Sequence, residues 1–106
     1  NNNKLESKII ELLYEFFFFF DDSEINVVPQ DILNMLNRMF RPTYWTRNDI
    51  RAILKDSWKL MPQANGLTYI RYDIDYSGAF SQNNSVGRFF SISRDFILSK
   101  NVELLN

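Results

Sequence analysis

The sequence predicts an α+β fold: three helices with a C-terminal β-hairpin and a short terminal helix. Three observations carry this. Apolar residues recur at helical intervals through the first 60 positions, residues 67 to 76 switch to a two-residue alternation, and a further stretch of strand composition follows a loop-like segment. The 106 residues suffice for one small core, and no linker, repeat or composition break divides them, so 1–106 is read as a single domain. With 45% apolar and 24% charged residues, the chain has the composition of a globular protein.

In "KLESKIIELLYEFFFFF", Leu5, Ile9, Leu12, Leu13, Phe16 and Phe20 fall on one arc at 100° per residue, opposite Lys4, Lys8, Glu11 and Glu15, which predicts a helix over 4–20. Phe17 and Phe19 sit on the margins of that arc, where "FILSKNVELL" can cover one of them. Phe18 points with Glu11 and Glu15 to the polar side. "DDSE" supplies turn formers, and "INVV" is a short β-branched strand stopped by Pro29. Pro29 suits the start of a second helix through "QDILNMLNRMF", with Ile32, Leu33, Leu36, Met39 and Phe40 buried and the end before Pro42. Thr46 and Asp49 have the spacing of a capping pair and open a third helix, about 46–61, whose inward face holds Ile50, Ile53, Leu54, Ser57 and Met61. Trp45, just before the cap, is placed as a staple against Ile50 or a neighbour, and Trp58 at the border of the core. In "LTYIRYDIDY", Ile70, Tyr72, Ile74 and Tyr76 share one strand face. "SGAFSQNNS" reads as a long loop and "VGRFFSIS" as the returning strand of a hairpin over 67–93. "RDFILSKNVELL" closes the chain as a helix.

Two zeros remove much of enzymology. Without cysteine there are no disulfides or thiolate sites, and without histidine the usual general base and the commonest zinc ligand are missing. No catalytic residue, metal site or cofactor is expected; the three glycines are not clustered into a phosphate loop. No apolar run is long enough to span a bilayer and "NNNKLESK" lacks signal-peptide order, so the expectation is an intracellular protein of cytoplasm or nucleus, without membrane contact. The net charge of −1 hides an uneven distribution. Residues 1–37 hold two cations against seven carboxylates, a net of −5, whereas residues 38–59 hold six cations against two carboxylates, a net of +4.

The order helix, short strand, helix, helix, strand, loop, strand over about residues 4–93 resembles the winged helix-turn-helix superfamily. "INVVPQDILNML" stands as its strand-to-helix step and "GLTYIRYDIDYSGAFSQNNSVGRFFSI" as its wing. The connector between the second and third helices is longer than the tight turn usual there. The resemblance implies a third helix that enters the DNA major groove and a wing that touches the minor groove or backbone.

The residues fit that chemistry. Asn48, Arg51, Ala52, Lys55 and Lys59 lie opposite the inward face of the third helix, with Arg47 at its start. Arginine can pair with guanine, asparagine with adenine, and lysine with phosphate. Arg88 is the cation near the wing's return. Double-stranded DNA is the expected partner, with roles in transcription or replication. The alternative is a protein-interaction module of such an assembly, or a homodimer through the first helix, with Phe18 and Phe80 as contacts. A third reading places Mg²⁺-dependent phosphoryl transfer at Asp73 and Asp75 of "RYDIDY", against pairing of these aspartates with Arg71, Arg88 or Arg94.

Overall fold

Eighteen residues without proline or glycine, apolar at three- and four-residue steps, form the first helix, α1 (Asn2–Phe19). The structure, a computed structural model, describes residues 2–40, 44–63, 69–74, 80–85 and 88–105, with side-chain surroundings for 4–40, 44–63 and 88–105. Leu5, Ile9, Leu12, Leu13 and Phe16 of the expected arc are buried, joined by Ile10 and Phe17. Phe20 differs from expectation. It lies just past the helix end, only half-buried, with its ring 4.9 Å from that of Phe16.

Strand β1 (Glu24–Val27) leads into helix α2 (Pro29–Met39). Pro29 occupies the first turn, where a missing N–H costs nothing, and the Asp31 carboxylate accepts the Val28 N–H at 3.2 Å. Ile32, Met35 and Leu36 are buried, while Leu33, Met39 and Phe40 pack at the core margin. Phe40 turns extended at φ −125° and ends the helix two residues before Pro42, as the proline requires.

Helix α3 (Arg47–Ala52) opens on the expected cap: Thr46 Oγ1 accepts the Asp49 N–H at 3.2 Å and Asp49 Oδ2 accepts the Thr46 N–H at 2.8 Å. It continues as a π-helical turn over Ile53–Ser57, where the Trp58 N–H reaches five residues back to the Ile53 carbonyl at 2.9 Å. The helix therefore ends four residues earlier than the expected 61. Lys59 adopts φ 60° and the Leu60 N–H closes onto the Leu54 carbonyl at 3.0 Å. Such a left-handed, six-residue closure is a helix stop usually given to glycine; on lysine it costs about 1–2 kcal/mol. Pro62 disfavours helical angles at the residue before it, but the stop at Ser57 comes earlier, at the Lys59 turn and the Leu60–Leu54 closure. As a result Ser57 and Met61, expected inside, are exposed, Met61 at 77%.

The strands also pair differently from expectation. Strand β2 (Tyr69–Ile74) takes as its antiparallel partner β3 (Phe80–Ser85), the segment whose composition suggested a loop. Serine, glutamine and asparagine weaken β propensity, but the ladder is made by backbone groups, and a paired neighbour outweighs a propensity of this size. Strand β4 (Phe90–Ser93) does not return along β2. It pairs antiparallel with β1, opposing Ile25 to Ile92 and Val27 to Phe90, all four buried. One bridge, Gln63 to Phe89, links the segment after α3 to the residue before β4. The chain is thus α+β, with four helices and antiparallel strands.

Helix α4 (Arg94–Leu105) begins on the Ser93 hydroxyl, which accepts the Phe96 N–H at 3.1 Å, and packs on α1. Arg94 clamps the end of α1. Its Nη2 donates to the carbonyls of Phe20 and Asp22, both at 2.8 Å, Nε donates to Asp22 at 3.1 Å, and the guanidinium stands 5.7 Å from the Phe17 ring centre. Asp21, at 3.9 Å, is an ion-pair partner of Arg94. The side chains of β2 and β3, Asp73 among them, and residue Asp75 lie outside the described side-chain set. Replacing Arg94 by alanine orphans two carbonyls at once, and the expected loss in urea denaturation is about 2–3 kcal/mol. Arg94→Lys is expected to recover less than half of it, because an ammonium cannot reproduce the fork. A wild-type midpoint in Arg94→Ala would show that the clamp contributes nothing.

Candidate nucleic-acid interface

The inward anchors of α3 set the rotation of everything else on it. Ile50, Ile53 and Leu54 are buried, and Trp58 beyond them is buried as well, its Nε1–H donating to Glu6 of α1 at 2.6 Å and its ring meeting Phe96 at 5.4 Å. Trp45 is half-buried against the same core, the side on which a staple to Ile50 would stand. With these groups held inside, Arg47, Asn48, Arg51 and Lys55 are all exposed on the other side. This is the face expected of them, and it is brought together on 47–55 as one polar, cationic strip.

Asn48, Arg51, Ala52, Lys55 and Asp56 line a shallow depression of about 170 Å³. Of the two carboxylates in this stretch, Asp49 is turned back onto the Thr46 N–H and complements the helix N-terminus. Asp56 remains exposed on the rim and lowers the local positive field. Among the described residues, no carboxylate forms an ion pair with Arg47, Arg51, Lys55 or Lys59.

Other candidates stand apart from this strip. Lys59 is exposed past the helix end, and Arg88 is exposed before the Gln63–Phe89 bridge. Phe80 opens β3 opposite Ile74; its side chain is outside the described set. One residue absent from the expected site is Tyr44, 86% exposed two positions before the cap of α3. Its signal was available in the order of residues. If Trp45 is the inward staple, the aromatic neighbour before it has no inward position to take.

A second surface involves α1 and α4. Phe18 is 74% and Phe19 66% exposed, their rings edge to face at 5.3 Å. Phe18 also borders a depression of about 180 Å³ with Tyr14, Phe17, Arg94 and Leu98. Phe17 is the marginal phenylalanine that becomes covered. Among the described residues, no helix is long and apolar enough to cross a membrane.

Compared with protein-family models, with curated proteins and with solved structures, the chain has no match.

Proposed function

We propose that the chain is a winged-helix DNA-binding domain that places α3 in the major groove. The observation that carries this reading is the strip Arg47, Asn48, Arg51 and Lys55, exposed on a capped and core-anchored helix and, among the described residues, without a carboxylate ion-pair partner. The topology supports it: β4 returns to β1, and the Gln63–Phe89 bridge stands between the β2–β3 ladder and the β1–β4 pair, as a wing joined to a small sheet would. In this reading Arg51 and Asn48 face base edges, where their planar groups pair with guanine and adenine, and Arg47 and Lys55 neutralise flanking phosphates. Arg88 adds a backbone contact from the wing.

A salt titration of binding to generic duplex and single-stranded DNA tests it. Duplex affinity is expected to fall linearly in log–log form with a slope of roughly −3 to −4, about 0.9 for each phosphate neutralised. Absence of salt-dependent duplex binding would remove the assignment. The exposed Phe18–Phe19 pair favours the second reading, a protein-interaction module of a replication or transcription assembly, or a homodimer through α1. That reading predicts a partner contact sensitive to Phe18→Ala and no salt-sensitive DNA affinity.

A further inference from the structure

Among the described residues, Lys59 is the non-glycine residue that holds a positive φ, 60°. Its neighbours impose that geometry. Trp58 before it is buried and tied to Glu6 and Phe96, and Leu60 after it is bonded to the Leu54 carbonyl and packed against the core. Lys59 itself is exposed, so the turn does not need a lysine there. Glycine, or asparagine, would adopt the same angles with less crowding of Cβ against the next carbonyl. A cation near a helix C-terminus is favourable, but Lys55 already supplies one in the last turn. Backbone strain held in place by its surroundings, on a side chain that contributes no packing, points to a use for that side chain.

Resting on the DNA-binding reading, we propose that Lys59 is a phosphate clamp. The left-handed turn takes Lys59 out of the helical period and leaves it exposed past the last turn of the helix, and in this reading its ammonium meets the duplex backbone while Asn48 and Arg51 face the groove. An ammonium is a compact charge with no planar fork, suited to a phosphodiester oxygen and carrying no sequence information. Its contribution is register: a fixed backbone contact at one end of the helix sets how far the base-facing residues sit along the groove.

The test uses Lys59→Gly and Lys59→Arg beside the Arg51→Ala/Lys55→Ala double variant, in the same salt titration and in urea denaturation. Lys59→Gly is expected to raise the urea midpoint, because the strain is relieved, and yet to bind more weakly, with a salt slope shallower by about 0.9, the value for one phosphate. Between about 50 and 200 mM salt that is a roughly 3.5-fold smaller fall in affinity than for the unsubstituted chain. Lys59→Arg is expected to keep the slope. Lys59→Gly with an unchanged slope, while the double variant loses slope, overturns the clamp and leaves the DNA reading standing; Lys59 is then only a helix stop. An unsubstituted chain with no salt-dependent binding overturns the clamp together with the reading it rests on.

Discussion

Replacing Arg51 and Lys55 together by alanine is expected to weaken duplex binding by about 30- to 150-fold near 100 mM salt, the equivalent of roughly 2–3 kcal/mol. The salt slope is expected to become shallower by about 1 to 2, according to whether Arg51 contacts a base edge or a phosphate. Folding is expected to hold. Both side chains are exposed, they stand as a like-charged pair four residues apart, and alanine has the higher helix propensity, so the double variant should be at least as stable as its parent. That separation makes the experiment decisive. A double variant that keeps its circular dichroism melting curve but loses affinity places the strip at the interface, whereas unchanged affinity and slope sink it.

The second large effect lies inside the run of five phenylalanines. Phe16 is 4% exposed, with the rings of Phe17 and Phe20 at 5.4 and 4.9 Å, so Phe16→Ala opens a cavity in the core cluster. The expected loss is about 3–5 kcal/mol, a large part of the roughly 5–15 kcal/mol typical of a whole domain. Phe18→Ala, two residues away, should change stability by less than about 0.5 kcal/mol, because Phe18 stays 74% exposed in the folded chain and little of its ring leaves water on folding. Equal urea midpoints for the two variants would contradict the burial described for α1.

Much of the helical half was legible in advance because its signals are local. Pro29 opens α2, Pro42 follows its end, and Thr46 with Asp49 caps α3, each through contacts within four residues of sequence. The cationic strip followed from the same locality: once Ile50, Ile53 and Leu54 face inward, the helical period alone places Arg47, Asn48, Arg51 and Lys55 outward. The end of α3 was not legible. Met61 fits the apolar period, but the closure of Leu60 onto Leu54 and the left-handed Lys59 depend on Trp58 being held by Glu6, 52 residues away in sequence.

By itself, then, the sequence determined where helices begin, which faces they bury and where positive charge gathers, because periodicity, caps and prolines act over one or two turns. Only the tertiary structure decided the rest. It gave β4 to β1, a pairing between opposite ends of the chain, and the polar "FSQNNS" to β2, since a ladder is made by backbone groups and not by the composition of either strand. It gave the two marginal phenylalanines different surroundings, burying Phe17 and leaving Phe19 exposed, and it left Phe20 half-buried. It also turned Arg94 onto the end of α1. For β4 with β1 and for Arg94 with the end of α1, the deciding contact joins segments brought together by folding, and no window of local sequence contains both partners.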